Sequence, residues 1–210
     1  MTASHTRPVV VVGAGGFGRE ALDVLEAAGR HVLGVVDDGP SELDVERVER
    51  RGYRLLGPVA WLADRRDVDH VIGIGSPAVK RHLDDALRDM GSRPTTVVHP
   101  EATIGSEVAL GPGTIVCAGA RLSTNVSTGR HVHVLANAAI GHDTSLCAHT
   151  SVNPAATVSG SVSVAAGVLV GAASVVLQGL TLGAESVVGA GACVVRDVPP
   201  ARVVKGVPAV

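Results

Sequence analysis

Aromatic residues are almost absent from this sequence. Its 210 residues include one Phe, one Tyr and one Trp, and all three, Phe17, Tyr53 and Trp61, lie in the first third. Globular cores normally use aromatic side chains for bulk. A core of Val, Ile, Leu and Ala therefore indicates a narrow interior of regular width in the rest of the chain.

Other absences exclude whole classes of protein. The cysteines, Cys117, Cys147 and Cys193, form no CxxC pair, so we expect neither a disulfide framework nor a zinc ribbon. The sequence has no run of about 18 apolar residues, so it predicts no transmembrane helix. The net charge of −2 gives no electrostatic footprint for nucleic acid. Residues 1–8 are polar and do not form a charged-then-apolar leader, so we expect a cytoplasmic protein.

Strand and helix patterns alternate in the first half. An apolar run at Pro8–Val12 predicts a buried parallel strand, and the glycine cluster Gly13–Gly18 separates it from a helix over Arg19–Ala28. The other predicted elements are strands at Val32–Val36, Val71–Ile74 and Thr95–Val98, a short apolar stretch at Leu55–Leu62 and a helix at Pro77–Met90. This alternation predicts an α/β Rossmann-like domain over residues 1–97.

From Val98 to Val194 the pattern repeats every six residues. Each sixth residue is aliphatic except Thr128, no insertion breaks the register, and glycine often follows the aliphatic position. A hexapeptide parallel β-helix holds such a period, whereas an α-helix or antiparallel sheet does not. We predict an all-β left-handed parallel β-helix over 98–198, with inward aliphatic side chains and glycines that relieve the corners. Prolines and Gly206 predict a capping tail over 199–210 that cannot continue the coil.

Several motifs together make the chain resemble a known family, the bacterial sugar acetyltransferases of the sialic acid O-acetyltransferase and UDP-bacillosamine N-acetyltransferase type. The resemblance covers nearly the whole chain, and the order of the motifs is more specific than any one of them. The motifs are GAGGFGRE at Gly13–Glu20, VVDD at Val35–Asp38, GIGSP at Gly73–Pro77, GHD at Gly141–Asp143, PAATVSG at Pro154–Gly160 and KGVPA at Lys205–Ala209.

The resemblance implies an acetyl-CoA-dependent acetyltransferase with two catalytic residues. His142 is implied as the general base that takes the proton of an amine or hydroxyl, and Asp143 as the group that orients it. The alternative is that His142 is an ordinary surface histidine on a corner. The resemblance also implies a homotrimer, since the flat faces leave an exposed apolar strip that a second copy can cover.

The resemblance places acetyl-CoA in a groove between neighbouring prisms. The small residues Gly160, Ala172 and Ala190 are implied as the wall of that groove, although corners require small residues in any case. The family has a second histidine nine residues after the base, which contacts the thioester region. This chain has Ser151 there, so the cofactor contact differs, and His149 is a possible substitute.

The N-terminal glycine motif has two functional interpretations. Gly13, Gly15 and Gly18 satisfy GxGxxG between a strand and a helix, with Asp37 nineteen residues later, as in dinucleotide-binding proteins. An NAD-dependent oxidoreductase is therefore an alternative, but the domain is only one mononucleotide half. The resemblance implies instead that this region binds a nucleotide-activated sugar. Its implied contacts are Gly15, Gly16, Phe17, Asp37, Asp38 and Gly75.

Two further alternatives concern the β-helix. A non-catalytic binding scaffold would have the same repeats but would not bind acetyl-CoA. Hexapeptide proteins that resemble carbonic anhydrases hold zinc through three histidines, but His142 occupies a different position in the repeat from His131 and His149, so we expect no metal. The spacing of His131 and His149, three hexapeptides, predicts that they stack on adjacent coils, with His131 as an exposed edge residue.

Overall fold

The computed structural model describes residues 7–210, and most of the polar N-terminal segment used in the leader argument, residues 1–6, lies outside them. The N-terminal domain contains a five-stranded parallel sheet in the order β3-β2-β1-β4-β5. Its strands are β1 (Val9–Val12), β2 (Val32–Val36), β3 (Leu55–Gly57), β4 (Asp69–Ile72) and β5 (Arg93–Pro94). The predicted α/β class of this half is confirmed.

Three α-helices accompany this sheet: α1 (Gly16–Ala27), α2 (Glu42–Arg50) and α3 (Pro77–Asp89). Helix α2 is not among the predicted elements; it begins after Ser41, whose hydroxyl accepts a hydrogen bond from the Asp44 amide, a common N-terminal cap. A 3₁₀ turn follows β3 at Val59–Leu62. Among the described residues, no helix is both long and apolar enough to cross a lipid bilayer.

The second half is a parallel β-helix made of two-residue strands. The strands are β6 (Val97–Val98), β7 (Thr103–Ile104), β8 (Ile115–Val116), β9 (Arg121–Leu122), β10 (Ser127–Thr128), β11 (His133–Val134), β12 (Ala139–Ile140), β13 (Ser145–Leu146), β14 (Ser151–Val152), β15 (Thr157–Val158), β16 (Ser163–Val164), β17 (Leu169–Val170), β18 (Val175–Val176), β19 (Thr181–Leu182), β20 (Val187–Val188), β21 (Cys193–Val194) and β22 (Val203–Val204). They form three parallel sheets of seven, six and four strands, which are the three faces of a prism.

The predicted register holds through the prism. Residues three hexapeptides apart pair in parallel, as Val134 does with Val152 and Ile140 with Val158. Except in β10, which has Thr128 there, the second residue of each strand is aliphatic, and most of these side chains are buried in one core. Because burying a valine or leucine side chain stabilises a fold by about 1.5–3 kcal/mol, this stack of identical positions is the main source of stability in the second half.

The corners differ physically from the expectation. Glycines directly after the strands do not have positive φ; a Cβ at Gly141 would lie 2.4 Å from the Gly160 nitrogen of the next coil, so close approach of two coils requires glycine there. The left-handed backbone occurs two residues later and is often occupied by other residue types, including Asp143 with φ of 58°. Strain at the glycine itself was thus the wrong reason for its presence.

The N-terminal domain packs against the seven-stranded face of the prism. Leu22 and Leu25 of α1 share one buried apolar cluster with Ile115 of β8, and the Lys80 side chain of α3 bonds to residues of β14 and the corner before it. The corner that carries His142 joins β12 of the six-stranded sheet to β13 of the four-stranded sheet. It therefore lies on the side of the prism away from the seven-stranded face.

The C-terminal tail corrects one expectation. The segment 199–210 was expected to leave the coil, but its β22 pairs in parallel with β20 and extends the seven-stranded sheet. Val187 pairs with Leu169 on one side and with Val203 on the other. The segment from Val187 to Val203 is shorter than the segment from Leu169 to Val187. A shortened last coil thus accommodates the prolines. After β22, Ala209 is buried against the end of the core.

Candidate active site

His142 forms a short chain of hydrogen bonds at its corner. Its Nδ1 lies 2.7 Å from the Asp143 carboxylate, and the Asn125 amide donates to the other carboxylate oxygen at 3.0 Å from one coil earlier. The hydrogen bonds from Asn125 and then His142 lower the pKa of Asp143. With Nδ1 held by a carboxylate, the Nε2 lone pair of the neutral ring is the free basic site.

The His142 ring lies on the backbone of Gly160. A Cβ at residue 160 would be 2.5 Å from Nε2 and 2.6 Å from Cε1 of His142, so glycine is what allows the ring to lie there. The ring edge faces outward, since the His142 side chain is 49% exposed. Gly160, which the resemblance implies as a wall of the cofactor groove, lies directly under the ring of the candidate base.

A shallow groove runs beside this corner on the six-stranded face. It has a volume of about 350 Å³. Its lining includes Arg121, Ser123, Gly141 and Ser159. Arg121 is the one charged residue in that lining, and it pairs in register with Ala139 of the next coil.

The predicted acceptor loops meet at one cleft in the N-terminal domain. A cavity of about 260 Å³ is lined by Gly13, Gly15, Gly16, Phe17, Asp37, Gly73, Ile74 and Gly75. A Cβ at Gly15, Gly16 or Gly75 would contact nothing within 4 Å, so their backbone is the open wall of the cavity. Gly18 differs: a Cβ there would collide with the Gly13 carbonyl, which fixes the strand-to-helix turn.

The two acidic residues of this region brace the loops. Asp37 accepts hydrogen bonds from the amides of Ala14 and Gly39, at 2.8 and 2.9 Å. Asp38 accepts one from the Val59 amide at 2.8 Å. Both carboxylates also line an adjoining apolar slot of about 200 Å³. Asp37 lines both the glycine-lined cleft and the slot, whereas Asp38 lines the slot alone. Part of the hydrogen-bonding capacity of both carboxylates is used by the backbone.

A third cavity lies between α3 and the seven-stranded face. It has a volume of about 370 Å³ and is lined by Ser76, Pro77, Ala78, Arg81, Gly167, Leu169, Glu185 and Val187. An ion pair of Arg81 with Glu185 lies among the lining residues. The loop Gly73–Ser76 lies between this cavity and the glycine-lined one. Gly75 lines the glycine-lined cavity, and Ser76 lines the cavity beside α3.

The expected cofactor residues lie at different places. Ala172 and Ala190 occupy equivalent positions on successive coils, at the corner that follows the seven-stranded sheet, whereas Gly160 lies on the His142 corner. Ser151 is fully buried on β14, where its hydroxyl accepts a hydrogen bond from Lys80 and donates one to the Gly75 carbonyl. That hydroxyl is enclosed within the chain and is not exposed to a cofactor in this structure.

A buried polar network between α3 and the prism was missed by the sequence reasoning. Its centre is Asp84, which is 1% exposed and accepts hydrogen bonds from Arg130, His131 and His149. Burial alone would raise the pKa of Asp84, but the hydrogen bonds from Arg130 and His149 outweigh it and lower the pKa. The signals available in the sequence were the spacing of Lys80 and Asp84 on one face of α3 and the recurrence of histidine at one position of successive coils.

The histidines of this network correct one expectation and meet another. His131 and His149 stack on adjacent coils at 6.2 Å as predicted, and His70 stacks on His131 at 5.8 Å. His131, however, is fully buried rather than an exposed edge residue. Burial lowers the pKa of His131 to about 4 and that of His70 to about 3. His142 lies on a different corner, and no cluster suited to a metal ion occurs in residues 7–210.

Comparisons with known proteins agree with this architecture. Residues 8–87 match the PglD N-terminal domain family, and no curated protein matches the chain. A histidine-to-asparagine variant of perosamine N-acetyltransferase from Caulobacter crescentus, solved with CoA and GDP-perosamine, is 29% identical with a TM-score of 0.87, over 97% of this chain and 95% of that one.

Two further solved structures share the fold. The acetyltransferase domain of PglB from Neisseria gonorrhoeae, solved with acetyl coenzyme A, is 25% identical with a TM-score of 0.86, over 98% of both chains. WeeI from Acinetobacter baumannii is 23% identical with a TM-score of 0.85, over 98% of this chain and 99% of that one; at this identity the likeness concerns the fold alone. The resemblance stated from the sequence motifs is confirmed.

Proposed function

From the premise that the chain carries a PglD N-terminal domain and shares the fold of solved sugar N-acetyltransferases, we propose that it is an acetyl-CoA-dependent acetyltransferase. Its acceptor is the amino group of a nucleotide-activated sugar. The observation that carries the assignment is the histidine at the prism corner, His142, with one nitrogen held by Asp143 and the other free.

The reaction follows from that arrangement. The acceptor nitrogen attacks the thioester carbonyl carbon and gives its proton to Nε2 of His142. The C–N bond forms and the C–S bond breaks, and the CoA thiolate leaves and takes the proton back as a thiol. Asp143 stabilises the imidazolium that exists between these steps, and a backbone N–H of a nearby coil stabilises the oxyanion.

The glycine-lined cleft suits a sugar nucleotide. Open backbone at Gly15 and Gly16 starts helix α1, and a helix N-terminus favours the negative charge of a diphosphate. The adjoining apolar slot, bordered by Asp37 and Asp38, has room for a base and ribose. Phe17 and Gly75 border the region left for the sugar. GDP-perosamine, bound in the Caulobacter relative, is the first acceptor to test.

Acetyl-CoA is proposed to lie along the prism. The cavity between α3 and the seven-stranded face adjoins the acceptor loop, which brings a thioester close to the sugar. Ala172 and Ala190 border the same side of the prism and leave a smooth corner for the pantetheine arm. Gly160 contributes from the corner that carries the base, and no metal is required.

These parts lie on different sides of one chain, which supports a trimer. The acceptor cleft is on the seven-stranded side, whereas His142 lies at the junction of the other two faces. A face of six residues spans up to about 20 Å, so the prism core separates the two in one subunit. We infer a homotrimer in which the His142 corner of one subunit meets the acceptor cleft of the next. We place the enzyme in the cytoplasm, where acetyl-CoA and nucleotide sugars are available.

Replacing the base tests the function directly. We expect His142→Ala to lower the turnover number roughly 10²–10⁴-fold, measured as release of free CoA thiol from acetyl-CoA in the presence of GDP-perosamine and other nucleotide amino sugars. His31→Ala removes an exposed histidine of the N-terminal domain and should leave turnover unchanged. Wild-type rates in His142→Ala would refute the assignment, and a wild-type protein that neither binds acetyl-CoA in calorimetry nor releases CoA would favour a binding scaffold.

A further inference from the structure

Lys80 is a buried lysine, and no carboxylate of residues 7–210 forms an ion pair with it. Its side chain is fully buried, and Nζ donates to the Thr150 carbonyl at 3.1 Å and to the Ser151 hydroxyl at 2.9 Å. Burial lowers its pKa well below the usual lysine value. Burying an amine costs free energy. An apolar residue would fill the same space without that cost, so the presence of a lysine with two hydrogen bonds needs a specific explanation.

Those bonds continue to the loop that borders the acceptor cleft. Ser151 accepts from Lys80 and donates its own hydrogen to the Gly75 carbonyl at 2.9 Å. A hydroxyl has a single hydrogen, so the donation by Lys80 leaves that hydrogen free for Gly75. The chain Lys80–Ser151–Gly75 thereby ties a loop of the N-terminal domain to β14 of the prism.

The tied loop is the partition between two cavities. Gly75 lines the glycine-lined cleft, and Ser76, the next residue, lines the cavity between α3 and the seven-stranded face. A displacement of the Gly75 peptide would change the shape of both cavities together. The position of this one peptide therefore sets how an acceptor in the first cavity is presented to a donor in the second.

We propose that Lys80 is a positioning residue that acts through Ser151 to fix the acceptor-binding loop Gly73–Ser76 on the prism. This inference rests on the proposed function and adds to it a residue that contacts neither substrate. Anchoring of α3 as such is a separate matter, because Asp84 holds that helix through Arg130, His131 and His149. Within residues 7–210, the Ser151 hydroxyl bonds instead to Lys80 and Gly75.

Steady-state kinetics separate positioning from general stability. We expect Lys80→Met, and independently Ser151→Ala, to raise the KM for the nucleotide amino sugar about tenfold, the usual size for one lost buried hydrogen bond. The turnover number at saturation should stay within about twofold, because His142 is on another corner. The two changes act through one chain, so the double variant should be no worse than Ser151→Ala. Arg130→Met is the matched control; it weakens the α3 anchor and should lower the melting temperature without raising this KM.

Hydrogen–deuterium exchange provides a readout that needs no turnover. In the full-length protein, Lys80→Met and Ser151→Ala should speed exchange of the amides of residues 73–76 at least about tenfold, while strands β15–β18 keep wild-type protection. Arg130→Met should not change the 73–76 segment. Wild-type exchange of that segment in both loop variants would overturn the inference even if the enzyme is active. Faster exchange in a protein that never releases CoA would uphold the tether and contradict only the proposed function.

Discussion

At the scale of single residues, the prism corner explains how His142 and Asp143 come together. Asp143 occupies the left-handed position of its corner, with φ of 58°, a conformation that aspartate and asparagine tolerate better than most residues. Asn125 occupies the same position one coil earlier, with φ of 58°, and donates to the Asp143 carboxylate. The repeat itself thus stacks Asn125 beneath Asp143, the residue proposed to orient the base.

The position of the His142 ring depends on the absence of a side chain at residue 160. We expect Gly160→Ala to displace the His142 ring from its position, because the new methyl group would lie 2.5 Å from Nε2, which is closer than van der Waals contact allows. Turnover should fall about 10–100-fold, since small displacements of a catalytic group are costly. Thiol release measures the rate, and an unchanged melting temperature would show that the fold is intact. Full activity in Gly160→Ala would mean that the ring does not work from this position.

At the scale of secondary structure elements, α3 is held to the prism by charge and hydrogen bonds rather than by apolar packing alone. Arg130 binds the Asp84 carboxylate through two nitrogens, at 2.6 and 3.2 Å, the bidentate geometry that guanidinium favours. Lys80 and Asp84 are both within 1% of full burial. Such groups stabilise a particular docking geometry, because a shifted helix would leave each of them buried and unpaired.

The histidines of this seam predict how stability depends on pH. His70 and His131 are neutral when folded, with pKa values lowered by burial to about 3 and about 4, against 6.5 when unfolded. Below pH 6.5 the unfolded chain binds protons that the folded chain does not. Stability is therefore lost as pH falls from 6.5 toward 4, by up to about 1.4 kcal/mol per pH unit for each histidine.

Thermal melting between pH 8 and pH 4 tests this expectation. The melting temperature should be level above about pH 7 and should fall steadily below it. The groups that face these histidines are Ser92, Lys80, Asp84, Arg130, His133 and His149. Asp84 stays ionised in this range because its pKa is lowered. Replacing His70 by Phe should make the curve flatter, whereas His31→Asn at the surface should not. A melting temperature that rises toward pH 4 would contradict the neutral, buried state of both histidines.

At the scale of the whole molecule, a single chain leaves apolar surface uncovered. Val175, Leu177 and Val195, on the six-stranded face and the corner after it, are 37%, 42% and 45% exposed. Leu177 and Val195 occupy equivalent positions on successive coils and form a strip along the prism axis. Exposed apolar strips of this kind favour association, in agreement with the proposed trimer whose active site needs two subunits.

Mixing two inactive variants tests whether the site is shared. His142→Ala lacks the base, and Gly15→Phe fills the acceptor cleft, since a side chain at Gly15 projects into open space. If each site takes its base and its cleft from neighbouring subunits, trimers reassembled from equal amounts of the two variants should recover about a quarter of wild-type activity, by random assortment. A site contained in one subunit would recover essentially none. Size-exclusion chromatography with light scattering checks that the mixed trimers form.

The sequence by itself determined the repeating half of this protein. Aliphatic residues every six positions admit one regular winding, because each face of the coil uses the same small interior volume. The glycine turn before α1 also depends on nearby residues alone, because the Gly13 carbonyl lies so close to the Gly18 Cα that residue 18 has no room for a side chain. His142 and Asp143 were proposed through the resemblance carried by the GHD motif, and their hydrogen bond is local because the two residues are adjacent on one corner.

Tertiary structure alone decided which face of the prism is covered. The outward residues of the seven-stranded face include Val97, Ile115 and Leu169, whereas those of the four-stranded face are serines and a threonine. The six-residue period is the same on all three faces, so it could not indicate that α3 lies over Ser151 and His131. The bonds from Lys80 to Ser151 and from Asp84 to His131 join residues 71 and 47 positions apart. Contacts of that kind depend on how the two domains dock, and docking is set by their whole surfaces rather than by local pattern.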